Sequence, residues 1–268
     1  MRPTFAMALL FALSIGIGFA ISMSFPGEEV TEPTSYSNVP LFLIPFGLVT
    51  AIFLILIKIG KDAIIFHMVM AVSWVLLWLS FDLLFSLILD YITSVALSLG
   101  LTILLLYLFY FSNARIWAKN TMAVVVGGGA MGILGTIVDV PPLILILIVL
   151  AVYDGIAVYK TKHMFEIAER AIEGDLPLLL SLPKGGDKTG TMMMGLGDVV
   201  FPGTLVISAN IFVGPAAAAM VLVGIGAGMA LLFRAISRRG QAGLLFLNTG
   251  GIAGYLFYVL FSSFLSFP

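Results

Sequence analysis

Two aspartates stand out: Asp154, in Tyr153-Asp154, and Asp198, closing Gly195-Leu196-Gly197-Asp198, each inside a long apolar run. At bilayer depth an ionisable side chain costs roughly 2.5–3.5 kcal/mol on insertion scales, so it is read first as functional. Two carboxylates brought close together tend to share one proton, which leaves an acid and a base at the same pH. Such a pair can hydrolyse an amide: one group takes a proton from water while the other polarises or protonates the scissile bond. Gly195 and Gly197 strip side chains from around Asp198 and admit a helix or an extended backbone. Pro202 has no N–H to offer the carbonyl at Asp198 and can kink the segment. The plainer reading of either aspartate is an interhelical hydrogen bond or snorkelling to the interface.

The elements that must position these groups follow from composition. The 268 residues are 61% hydrophobic and 10% charged, a balance outside that of soluble domains. Apolar runs able to cross about 30 Å of hydrocarbon recur along the chain, which predicts an all-α polytopic membrane protein. Without cysteine there are no disulfides, thiol catalysis or cysteine-ligated metals. His67 and His163 stand too far apart for a convincing metal site. The net charge of −1 favours neither nucleic acid nor anionic partners.

Nine spans are predicted: Phe5–Ser24, Leu41–Ile57, Ala63–Phe81, Thr93–Ser112, Thr121–Val138, Pro141–Tyr159, Thr191–Val213, Pro215–Phe233 and Leu244–Phe264. The first is longer than a leader's apolar core and lacks a small-x-small cleavage site, so it reads as a retained helix. With the N-terminus inside, all 13 Lys and Arg fall in inside segments. Outside connections then carry the acids Glu28, Glu29, Glu32, Asp90 and Asp139. That segregation predicts a cytoplasmic N-terminus and an outside C-terminus. The expected organisation is a six-helix N-terminal bundle (residues 1–162), a cytoplasmic connection (163–190) and a three-helix C-terminal part (191–268).

Helix rise places Asp154, six residues before Lys160, about 9 Å from the cytoplasmic boundary, and Asp198, seven residues after Thr191, about 10 Å from it. In the connection, His163–Gly174 reads as an amphipathic helix ending at glycine, followed by a short proline-bracketed apolar stretch and a polar, glycine-rich Pro183–Gly190. Leu176–Leu182, or the loop beside it, is expected to pair with an unwound substrate as a strand. Gly128 with Gly132, and Gly224 with Gly228, predict close helix packing.

At Tyr153-Asp154, at Gly195-Leu196-Gly197-Asp198 with Val199-Val200-Phe201-Pro202-Gly203 after it, and in the last span, the chain resembles the presenilin and signal peptide peptidase family. The resemblance implies a nine-span presenilin-like fold and an intramembrane aspartic endopeptidase of the GxGD type. Asp154 and Asp198 would be its catalytic pair, with Tyr153, Gly195, Leu196 and Gly197 positioning substrate. The family's Pro-Ala-Leu motif falls where this chain reads Gln241-Ala242-Gly243-Leu244-Leu245, without the proline. Ala242, Gly243 and Leu244 take the implied substrate-positioning role. Asn248 reads equally as lining the site or as a helix-packing hydrogen bond. The orientation resembles presenilin and the residues after Asp198 resemble signal peptide peptidase; a compact microbial, archaeal-type homologue fits both. Implied partners are transmembrane peptide segments and the lipid bilayer of the cell membrane. No metal, organic cofactor, nucleic acid or accessory subunit is called for.

Three rival readings use the same residues. A prepilin-type peptidase also pairs membrane aspartates, but usually has a lysine where Val199 and Val200 stand. A proton-coupled transporter would use Asp154 and Asp198 as proton carriers, though no internal repeat is evident. A membrane scaffold without catalysis needs neither carboxylate.

Overall fold

The structure is a computed structural model that describes residues 3–25, 34–111, 115–158, 179–183, 191–235 and 242–265. Among these are nine helices and two strands: α1 (Pro3–Ser22), α2 (Asn38–Ile59), α3 (Asp62–Ser86), α4 (Tyr91–Phe111), α5 (Arg115–Ile137), α6 (Val140–Ile156), β1 (Leu179–Pro183), β2 (Thr191–Gly195), α7 (Leu196–Phe212), α8 (Pro215–Ala235) and α9 (Gly243–Leu265). Helices α1, α3, α4, α5, α8 and α9 are long and apolar enough to cross a membrane. Shorter apolar stretches are Asn38–Ile52, Val140–Ile156 and Leu196–Phe212. The expected amphipathic helix at 163–174 and the glycine-rich stretch at 184–190 lie outside the described residues.

One expected span is corrected. Thr191–Gly195 is not the first turn of the seventh helix but a strand, antiparallel to Leu179–Pro183 with Ser181 opposite Met193. Its apolar run, Thr-Met-Met-Met-Gly, looks like helix when read alone, and β1 supplies the ladder that its backbone uses instead. Asp198 therefore lies in the first turn of a helix, and counting helical rise from Thr191 overstates how far along that helix it sits.

The chain forms two compact units. The first comprises Met1–Pro26, Phe53–Ile133 and Glu169–Val200. Its core joins Met70, Leu77 and Phe81 of α3 to Leu105 and Phe109 of α4 and to Ala118, Met122, Val125 and Val126 of α5. Lipid is as apolar as these side chains, so fit between helices has to supply the attraction that water would drive elsewhere. Close fit is visible along α1 and α5. A Cβ on Gly132 would come within 2.8 Å of the Gly18 carbonyl, and one on Gly128 within 2.8 Å of the Ser14 carbonyl. Ser14 Oγ donates to the Val124 carbonyl at 3.2 Å along the same seam. At the α3–α4 turn the Asp90 carboxylate accepts the Thr93 N–H (3.2 Å) and hydroxyl (2.8 Å), capping α4. Asp82 accepts the Ser94 hydroxyl at 2.7 Å, so that acid is satisfied by the neighbouring helix.

The second unit comprises Gly27–Ile52, Leu134–Ala168 and Phe201–Pro268. The very short α5–α6 turn is made by Asp139, whose Oδ1 accepts the Val140 N–H at 2.6 Å. Prolines follow in the first turn of α6, where no N–H is needed. Ser208 Oγ of α7 donates to the Val138 carbonyl at 2.8 Å. Gly214, at φ 130°, turns α7 into α8 in a conformation few other residues adopt. Helices α8 and α9 then touch backbone to backbone. A Cβ on Gly224 would land on the Gly250 carbonyl, and one on Gly228 on the Phe246 carbonyl. The small-residue spacing in α8 is thus a packing seam, matched by Gly250 and Gly254 of α9.

Candidate active site

Asp154 occupies the last turn of α6 and is only 3% exposed. Its Oδ2 accepts the backbone N–H of Leu244 at 3.1 Å. Leu244 is the second residue of α9, and N–H groups in a helix's first turn have no partner within the helix. A carboxylate on α6 therefore caps α9 from outside. Ala242, Gly243 and Leu244 are all buried at this junction. Further along the same pair of helices, Asn248 Nδ2 donates to the Leu147 carbonyl at 3.1 Å. Asn248 thus makes the packing hydrogen bond, one of its two expected roles. Its Oδ1 is buried with no partner among the described residues.

Beside Asp154, the half-buried Tyr153 ring meets Phe46 of α2 edge to face, centroids 6.2 Å apart. Phe46 in turn meets Phe201 of α7 at 5.9 Å, and Phe201 meets Phe42 at 6.2 Å. Edge-to-face pairs of this kind are directional as well as apolar, so they fix where each ring stands.

Asp198 lies in the first turn of α7 and is half-buried. The residues before it divide their work. A Cβ on Gly195 would lie 3.5 Å from Asp198 Oδ2, so the carboxylate leans over a residue that has no side chain. Leu196 packs against the α3–α4–α5 core, and a Cβ on Gly127 would come within 3.0 Å of its Cδ1. Leu196 anchors the start of α7. Gly197 sits in the same turn, half-buried, and Val199 and Val200 behind it are buried.

Asn120 of α5 went unremarked in the sequence. Its Nδ2 donates to the Ser181 carbonyl at 2.8 Å, and its Oδ1 accepts the Ser181 N–H at 2.9 Å. The polar pair Lys119-Asn120 at the head of an apolar run was the available signal. Leu179 also packs against Ile65 and Val69 of α3, so β1 rests on two helices. Within the second unit, then, Asp154 accepts the Leu244 N–H; within the first, the Asp198 carboxylate lies over Gly195.

A family model described as signal-peptide peptidase, presenilin aspartyl protease matches residues 5–264. The fold is also similar to that of a presenilin family intramembrane aspartate protease solved in two crystal forms. The C222 form gives a TM-score of 0.75 at 24% identity, covering 97% of this chain and 99% of that one. The P2 form gives 0.72 at 25% identity with the same coverage. Comparison with curated proteins gives no match. The chain belongs to the signal-peptide peptidase and presenilin family of aspartyl proteases. It is a multi-pass protein of the cell membrane, as its run of long apolar helices requires.

Proposed function

We propose that this chain is an intramembrane aspartic endopeptidase of the GxGD type that hydrolyses peptide bonds within transmembrane segments, with Asp154 and Asp198 as its catalytic pair. The observation that carries the reading is the family match along residues 5–264. In this reaction one carboxylate takes a proton from water as the water oxygen attacks the scissile carbonyl carbon. The other, carrying a proton, donates to the carbonyl oxygen and steadies the tetrahedral intermediate. Collapse breaks the C–N bond, the departing nitrogen takes up a proton, and a new carboxyl and amine terminus leave. No metal or organic cofactor enters these steps.

Support for Asp154 in this role is its burial and its bond from Leu244, in the stretch whose Ala242, Gly243 and Leu244 are proposed to position substrate. Tyr153, in its aromatic group, and the Gly195-Leu196-Gly197 turn before Asp198 complete the proposed positioning set. A substrate helix has to unwind before its amide is reachable, because helical backbone is self-satisfied in lipid. The unwound segment then adds as a strand to the β1–β2 hairpin. All nine helices are proposed to cross the bilayer, with the N-terminus cytoplasmic and the C-terminus outside; the segregation of basic residues supports this. Nothing in the sequence calls for an accessory subunit, and no observation favours the transporter reading.

The test uses purified protein in lipid vesicles with a single transmembrane-segment peptide, products being read by mass spectrometry. Cleavage should be lost in Asp154→Asn and in Asp198→Asn. Undiminished cleavage in either variant removes that aspartate from the mechanism.

A further inference from the structure

The side-chain amide of Asn120 imitates the peptide group of a neighbouring strand. It gives one donor and takes one N–H from a single β1 residue, Ser181, at 2.8 and 2.9 Å. Both residues are 7% exposed, so water is a poor substitute for either bond. In an antiparallel ladder the N–H and C=O of one residue face the same edge, and successive residues face opposite edges. Ser181 is engaged by Asn120, so it faces away from β2. Leu180 with Met194 and Leu182 with Met192 are then the hydrogen-bonded pairs of the register. The same alternation turns the N–H and C=O of Met193, opposite Ser181, towards the outer edge of β2. Met193 is itself exposed.

We propose that Asn120 is a positioning residue for substrate: it seals the β1 edge at Ser181, so that an unwound substrate strand adds along the β2 edge that carries Met193 and not along β1. The inference rests on the strand-addition reading given above. Its consequence is register. β2 runs directly into α7, and Met193 stands five residues before Asp198 in an unbroken strand-to-helix segment. A substrate strand on that edge is indexed to Asp198 by covalent structure. With a second edge open, or with β1 loose on α5, the indexing is lost. The amide presents a donor and an acceptor side by side, as a peptide group does; an ionised Asp lacks the donor and Leu lacks both.

The test compares wild type, Asn120→Leu and the near-isosteric Asn120→Asp in vesicles with the same transmembrane peptide, measuring kcat, KM and the termini of all products. In Asn120→Leu, KM should rise roughly tenfold, the scale expected for lost buried hydrogen bonds, and cleavage should spread to neighbouring peptide bonds. Asn120→Asp should fall between. A merely structural role would lower kcat through a smaller active fraction and leave KM and the termini alone; that result overturns the proposal. So does failure of both variants to fold, which would assign Asn120 to the fold. If wild type does not cleave, or cleavage survives Asp154→Asn, the protease reading falls, and this inference with it. Asp-dependent cleavage with wild-type KM and termini in both Asn120 variants overturns this inference alone.

Discussion

Asp154 sits at the end of a helix pressed against another helix, whereas Asp198 sits at the start of a helix that continues out of a two-stranded sheet. On the Asp154 side the contacts are backbone to backbone. The α8–α9 seam leaves no space for a methyl group at Gly224, Gly228, Gly250 or Gly254, and the first turn of α9 reaches the carboxylate through a main-chain N–H. On the Asp198 side the supports are side chains: Leu196 in the core, Leu179 on α3, and the Asn120 amide on Ser181. A seam of touching backbones has no nearby alternative packing, so it defines a fixed point. A sheet of two five-residue strands held by a few side chains can yield, which suits the element proposed to receive substrate.

Substitutions on the two sides should therefore fail differently. The largest effect is expected in the seam. Gly250→Ala puts a methyl group onto the Gly224 backbone carbonyl, whereas in Gly251→Ala the nearest atom is the Ile225 side chain at 3.1 Å. Thermal unfolding in detergent should show Gly250→Ala destabilised by about 3 kcal/mol and Gly251→Ala by less than about 1 kcal/mol. Equal losses would mean that the seam is not what holds α9. Next is Leu244→Pro, which deletes the N–H that Asp154 accepts at a position in the first helical turn where proline is tolerated. Turnover should drop roughly ten- to hundredfold with little change in melting temperature; unchanged turnover would detach that bond from function.

Smaller effects sharpen the contrast. Asn248→Leu loses one bond to Leu147 but also removes a buried oxygen with no partner among the described residues. Stability should shift by less than about 1 kcal/mol in either direction. A large loss would make the Asn248–Leu147 bond a chief link between α9 and α6. The smallest effect is expected at Asp90, whose carboxyl is held below its ordinary range by the Thr93 hydroxyl and then by the Thr93 N–H. A carboxyl depressed in the fold contributes stability above its unfolded-state pKa, and that contribution disappears as pH falls through the folded value. The slight deficit in melting temperature of Asp90→Ala should accordingly close on acidification. A deficit that persists in acid would assign it to packing.

Much of the Asp154 side was legible because its signals are local in sequence. The apolar runs, the Asp139 turn with its prolines and the four-residue glycine spacing each depend on residues a few positions apart. Asp154 was legible for the same reason, as a charge in an apolar stretch. The Asp198 side was less so. Thr191–Gly195 becomes a strand only because residues 179–183 lie beside it, and Asn120 finds Ser181 across 61 positions. Neither pairing leaves a periodic trace. Leu196, proposed to help position substrate as part of Gly-Leu-Gly-Asp, also packs its side chain against the helix core, which the motif alone does not reveal. A motif reports which residues occur together; which of them faces inward depends on a partner, here Gly127 of α5.

The account depends on the two carboxylates reaching one another in the membrane. The chain has no cysteine, so an Asp154→Cys, Asp198→Cys variant can be tested in vesicles with an oxidant and with a short bis-thiol reagent. Ser181→Cys with Met193→Cys, directly opposed in the hairpin, serves as the positive control, since disulfides need Cα atoms within roughly 7 Å. The account predicts cross-linking at 154 and 198 as well as in the control. A control that links while 154 and 198 do not, with or without a bound transmembrane peptide, would contradict it.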